Sequence, residues 1–205
     1  MIYTRSVKTL WFGLVLFALA AFAAPVQGQD TEQEIRAMLE QRDQQIKSIL
    51  QGDTSFTEEQ REELMTLING LIDFEAMGRQ ALGPFWNDLT EAQRAEFVEV
   101  FRDIVRSQSL ADLEVYNSEV TYDAITVEGD SAYVVTTTTY QGTSANVEYD
   151  LAFKDSTWVA EDIIVDGVST AQGYARSFQT IIRQRGFDAL MDSLRKKREQ
   201  IAAQN

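Results

Sequence analysis

Between Thr31 and Leu50 the apolar residues Ile35, Met38, Leu39, Ile46, Ile49 and Leu50 recur at three- and four-residue spacing among charged positions. That period predicts an amphipathic helix, closed by Gly52-Asp53. Thr57-Glu58-Glu59-Gln60 has the form of a capping box, in which threonine and glutamine satisfy each other's free backbone N–H groups. The helix it opens carries Leu64, Leu67, Ile68 and Leu71 on one side. Asp73 is placed to cap a short helix running through Leu82 and ended by Gly83-Pro84. A second capping box, Thr90-Glu91-Ala92-Gln93, opens a helix that turns Phe97, Val100, Phe101, Ile104 and Val105 inward.

The period then changes. Val120–Val127, Ala132–Tyr140, Ala145–Lys154 and Trp158–Val165 are rich in Val, Ile, Thr and Tyr, and short polar breaks separate them. Such runs predict antiparallel hairpins. In the third run Val147, Tyr149, Leu151 and Phe153 alternate with Asn146, Glu148, Asp150 and Lys154, so one face of the sheet is wet and the other meets something apolar. Beyond Gly167-Val168-Ser169 the helical period returns, with Ser169 as the N-cap. One stripe holds Tyr174, Phe178, Ile181 and Ile182, and another holds Phe187, Leu190, Met191 and Leu194. Helices, a meander and more helices predict an α+β domain with helices packed on one sheet face.

The first 28 residues alter this picture of a single domain. Arg5 and Lys8 precede an apolar run from Leu10 to Ala24, and small residues follow. This is the layout of a secretory signal, cleaved after Ala23 or after Gly28, with an uncleaved membrane anchor as the alternative. The boundaries expected are therefore 1–28 for the signal and 29–205 for the domain. Losing Arg5 and Lys8 takes the formal net charge from −14 to about −16. A surface of that sign repels nucleic-acid phosphates and anionic bilayers, so nucleic-acid binding is excluded.

The chain contains neither histidine nor cysteine. Imidazole bases, imidazole and thiolate metal ligands, disulfides and Ser–His or Cys–His nucleophile systems are all ruled out by composition. No phosphate-cradling glycine loop or EF-hand spacing is present. Glu161, Asp162 and Asp166 are the carboxylates nearest to an acid–base pair, and Asp162 reads better as a structural hydrogen-bond acceptor. The expectation is no catalytic residue, no metal and no cofactor. Arg195-Lys196-Lys197-Arg198 reads either as a solvated turn complementing a helix dipole or as a docking patch.

Two stretches carry a recognisable pattern. The first is Leu71-Ile72-Asp73-Phe74-Glu75-Ala76-Met77-Gly78-Arg79-Gln80-Ala81-Leu82-Gly83-Pro84-Phe85-Trp86, with Leu89–Arg94 and Phe97…Phe101 after it. The second is Trp158–Ser169, followed by Tyr174…Phe178 and Gly186–Leu190. Together they resemble the MlaC, or toluene-tolerance, family of periplasmic phospholipid-binding proteins. The resemblance implies a strongly curved, mainly antiparallel four- to five-stranded sheet with helices on one face, an NTF2-like or cystatin-like cone enclosing an apolar cavity. It further implies a periplasmic, non-enzymatic carrier of phospholipid. The partners it implies are an outer-membrane lipoprotein–porin complex and an inner-membrane ABC transporter with an MCE domain, and the role is to maintain outer-membrane lipid asymmetry.

Apolar positions available for such a cavity are Val135, Val147, Tyr149, Leu151 and Phe153 from the sheet. Trp86, Phe97, Phe101, Val168, Tyr174 and Phe178 join them from the helical segments and their approaches. Each reads equally as ordinary core packing. Two rival functions stay open: an enzyme on an NTF2-like scaffold using Asp162 or Glu161, and a periplasmic adaptor acting on another hydrophobic ligand or on proteins.

Overall fold

The structure, a computed structural model, describes residues 27–50, 56–110 and 113–203. Helix α1 (Gln27–Leu50) is followed by α2 (Glu58–Asn69), α3 (Phe74–Leu82), a 3₁₀ stretch (Gly83–Asp88) and α4 (Glu91–Ser109). After a second 3₁₀ turn (Leu113–Asn117) come strands β1 (Glu119–Glu128), β2 (Ser131–Tyr140), β3 (Thr143–Lys154), β4 (Thr157–Val165) and β5 (Val168–Ser169), then α5 (Thr170–Arg185) and α6 (Phe187–Ala202). Residues 1–26 of the expected signal lie outside the described residues, as does the Gly52-Asp53 break. Among the described residues no helix is long and apolar enough to cross a membrane.

The expected helix starts are present in atomic detail. Thr57 and Gln60 exchange hydrogen bonds of 2.9 and 3.2 Å, and Thr90 and Gln93 exchange bonds of 2.9 and 3.3 Å, so both capping boxes are closed. Asp73 Oδ1 accepts from Ala76 N at 2.9 Å, and Ser169 Oγ accepts from Gln172 N at 3.0 Å. Glycine at 83 ends α3 with φ +56°, a backbone that favours a residue without a β-carbon.

The five strands pair in sequence order, all antiparallel. Two bulges bend the sheet, at Asp123 in β1 and at Glu161 in β4. The free edge of β4 pairs with β5 and bridges to Ile72, where Asp73 N donates to Ala160 O and Ala160 N donates to Leu71 O. Both α3 and α5 therefore start from this one edge.

Among the described residues three apolar clusters form instead of a single continuous core. The first lies wholly among α3–α6 and the first 3₁₀ stretch, centred on Met77, Leu82, Phe97, Phe101 and Leu190. The second packs Ile35 and Leu39 of α1 on Ala132, Val134, Leu151, Trp158 and Ala160 of the sheet. The third joins the end of α1 to α2 through Ile46, Leu50 and Leu64. The basic run on α6 faces inward to α4: Arg195 meets Glu96 at 2.6 Å, and Arg198 lies 3.4 Å from both Glu99 and Asp103. The two arginines thus fasten one helix to another, and only Lys196 and Lys197 remain exposed.

Candidate functional site

Strand register decides which side chains share the inner face. Leu151 stands opposite Ala132 and Ala160, Tyr149 opposite Val134 and Ile163, and Val147 opposite Thr136 and Val165. Phe153 pairs with Trp158, their rings 5.3 Å apart, and Val165 pairs with Val168. Helix α1 closes one half of this face, over Ala132, Val134, Leu151 and Trp158. The other half is different. Val147, Val165 and Val168 belong to none of the three clusters, and Val165 and Val168 are 42% and 56% exposed. Among the described residues these three valines adjoin one another and belong to no buried cluster, and such adjacent, part-exposed apolar residues mark a place for something to bind.

The rim of this open half is held in place. Asp166 (φ 48°) and Gly167 (φ 75°) form a two-residue turn between β4 and β5, both in the left-handed region that such hairpins use. Asp166 Oδ1 accepts from Asn146 N at 2.9 Å, and Asp166 N donates to Asn146 O at 2.9 Å, tying the turn to β3. Thr136 is fully buried, and its hydroxyl is satisfied there by donating to Val147 O at 2.7 Å. Burial, with a smaller contribution from the Asp43 carboxylate, pushes the Tyr149 hydroxyl up to about 12. Tyr122 is also raised, by burial first and then by Tyr149 and the acids of α1.

The eleven sequence-derived candidates separate into distinct places. Val147, Tyr149, Leu151, Phe153 and Val168 lie along the inner face, Leu151 under α1 and Val147 and Val168 in the open half. Trp86, Phe97, Phe101 and Phe178 are buried in the helical core. There Phe97 stacks on Phe101 at 5.6 Å, and Phe178 meets both rings edge-on at 6.0 Å. Tyr174 borders that core with its ring 4.9 Å from Phe101, and its hydroxyl donates to Gln108 Oε1 at 2.7 Å. Val135, paired with Ala124 and Glu148, stands on the opposite face of the sheet.

Ile163 and Val165 were missed because simple alternation from Trp158 assigns them to the outer face. The Glu161 bulge reverses that parity and returns them to the inner one. Two open clefts of about 410 and 370 Å³ lie elsewhere, between α4 and α6 and at the α5–α6 turn. Their walls are mixed polar and apolar, and neither includes any of the eleven candidates.

A polar seam joins sheet to helices beside this face. Lys154 bridges Asp73 at 2.8 Å and Glu161 at 2.5 Å. Asp162 is buried and takes three donors: Ile163 N at 2.9 Å, Ala171 N at 3.0 Å and the Ser169 hydroxyl. It anchors the start of α5. Among the described residues no cluster of acidic side chains has the grouping to hold a metal ion.

A family model described as the MlaC protein matches residues 33–196. The chain belongs to the MlaC family. No curated protein matches it. Among solved structures it is similar to the phospholipid-binding protein from Ralstonia solanacearum, determined in complex with a phospholipid. The TM-score is 0.67 at 18% identity, covering 83% of this chain and 98% of the other. The expected α+β architecture, helices with a five-stranded antiparallel sheet, is the one observed.

Proposed function

We propose that this MlaC-family protein is a soluble, non-enzymatic periplasmic carrier that binds phospholipid through its acyl tails. In this reading residues 1–28 direct export, and the protein shuttles lipid between an outer-membrane lipoprotein–porin complex and an inner-membrane ABC transporter with an MCE domain, so maintaining outer-membrane lipid asymmetry. The observation that carries it is the divided core: among the described residues, the apolar half-face around Val147, Val165 and Val168 joins none of the three buried clusters, and two of its valines are exposed. The MlaC family and the phospholipid seen in the Ralstonia solanacearum neighbour support the choice of ligand.

The physics of the task suits such a protein. Each methylene hidden from water contributes about 0.8 kcal/mol, so two tails of roughly fifteen methylenes hide about 24 kcal/mol. A lipid needs a dry surface to cross water, and no proton transfer or nucleophile. The enzymatic alternative draws no support from Asp162, whose carboxylate is held by three donors of the fold itself.

Native mass spectrometry of protein purified without detergent tests the proposal. A one-to-one phospholipid adduct is expected, and Val147→Trp should reduce its occupancy while the circular dichroism spectrum stays unchanged. A lipid-free mass for the wild-type protein would overturn the carrier reading.

A further inference from the structure

Helix α1 covers part of the inner face of the sheet, and the outer face of β1–β3 is open. Register sets Thr126, Tyr133 and Asp150 in one row of that outer face and Ala124, Val135 and Glu148 in the next. Among the described residues, Tyr133 and Val135 belong to none of the apolar clusters, and Tyr133 is 40% exposed. Ala124, Thr126 and Asp150 are exposed as well. The Tyr133 hydroxyl donates to Glu148, and that bond pushes the phenol up to about 12. An aromatic ring thus stands between two carboxylates among small residues.

The charge on this face has no counterpart. Between Ser107 and Ala175 the chain has one basic residue, Lys154, against twelve acidic ones. The Lys154 ammonium is already matched by Asp73 and Glu161. Burial first, and then the charges of Glu161 and Asp162, raise the Asp150 carboxyl, so a cation brought from outside relieves a real repulsion. Shape points to a large ligand. Neither of the two clefts touches this face. Three strands of ten to twelve residues, about 4.8 Å apart with about 3.3 Å per residue, present a shelf of about 500 Å². That is what one side of a transient protein complex buries. An anionic bilayer is repelled by the same charges.

We propose that the outer face of β1–β3 docks a protein partner through arginine side chains, with Tyr133 as the stacking platform and Glu148 and Asp150 as the acceptors. A guanidinium suits this arrangement because it is planar, bonds carboxylates in a fork and stacks on an aromatic ring. An ammonium is a compact, strongly hydrated charge and gains less from the ring. The face is opposite to the one assigned to lipid, so docking leaves the valine half-face free.

The test titrates the isotope-labelled protein with a short peptide of Arg-Gly-Ser repeats, and separately with its lysine counterpart, following backbone amide shifts by NMR. The arginine peptide should shift Thr126, Tyr133, Val135, Glu148 and Asp150 and bind about fivefold tighter than the lysine peptide. Glu148→Gln combined with Asp150→Asn should weaken binding about fivefold. Glu62→Gln with Glu63→Gln removes the same charge from the exposed surface of α2 and should leave affinity within about twofold. Tyr133→Ala should erase the preference for arginine, and Tyr133→Phe should keep it. Shifts scattered over the whole acidic surface, equal affinity for the two peptides, or equal weakening in the α2 variant overturns the proposal. The same amide shifts produced by raising protein concentration, or by phosphatidylglycerol vesicles, would make the occupant a second copy or a membrane and overturn it too.

Discussion

Replacing Asp162 with alanine is the sharpest test of how sheet and helices are joined. The carboxylate is 6% exposed and accepts from Ile163 N, Ala171 N and the Ser169 hydroxyl. Hydrogen bonds to a charged acceptor contribute about 1.5–3 kcal/mol each. Ser169 keeps a second role as N-cap to Gln172 N at 3.0 Å, so its hydroxyl can turn to other acceptors. The two backbone N–H groups cannot, and the Ala171 amide is left in a buried setting. The expected loss is therefore about 3–5 kcal/mol. For a domain of this size that corresponds to a melting temperature lower by about 8–15 °C. Asp162→Asn keeps the shape and one acceptor oxygen and should lose about half as much. Thermal unfolding followed by circular dichroism reads both. A drop below about 3 °C for Asp162→Ala would mean that α5 is anchored by packing alone, and the account of the seam would be wrong.

Three further outcomes follow from the same geometry. Asp73→Asn retains a good N-cap but removes the charge facing Lys154, and screening at the part-exposed lysine limits the loss at pH 7 to about 1 kcal/mol. Burial alone would raise the Asp73 carboxyl, yet the Lys154 ammonium and the α3 amides outweigh it and hold the group below 3.8. Because the folded value is depressed, this stabilisation is present above about pH 4 and vanishes as pH falls through the folded value. Urea midpoints of wild type and Asp73→Asn should accordingly differ at pH 7 and converge in strong acid. Gly78→Ala should destabilise by about 1–3 kcal/mol despite better helix propensity, since a β-carbon there meets Phe97 Cε1 at 2.9 Å in a filled core; a higher urea midpoint would refute that packing. Arg198→Ala should change stability by less than about 1 kcal/mol in low salt and by less still in high salt, because the arginine and both of its partners are more than a third exposed.

Features that depend on neighbours in the sequence were legible before any coordinates. Thr57–Gln60, Asp73–Ala76, Thr90–Gln93 and Ser169–Gln172 each act across three residues, so local chemistry suffices to find them. The alternation in β3 also reads correctly, because no bulge interrupts its pairing with β2. Long-range pairing was not legible. Arg195 and Glu96 are 99 residues apart, and a run of four basic residues gives no hint that two of them point at a helix. The β4 parity change at Glu161 and the outward turn of Val135 depend on how strands register, which composition does not record. Likewise, Phe97, Phe101 and Phe178 are apolar whether they line a cavity or stack on one another, and only the ring geometry reveals the stacking.

The position of α1 has a consequence for how the molecule is made. Ile35 and Leu39 find their partners at Ala132, Val134, Leu151 and Trp158, and Arg36 reaches the Tyr122 carbonyl across 86 residues. During synthesis helix α1 emerges long before the strands it covers, with its greasy stripe bare. A solitary helix of this kind is marginal in water. Productive folding must wait for the meander, and in the interval the nascent segment is a natural client for a holding chaperone.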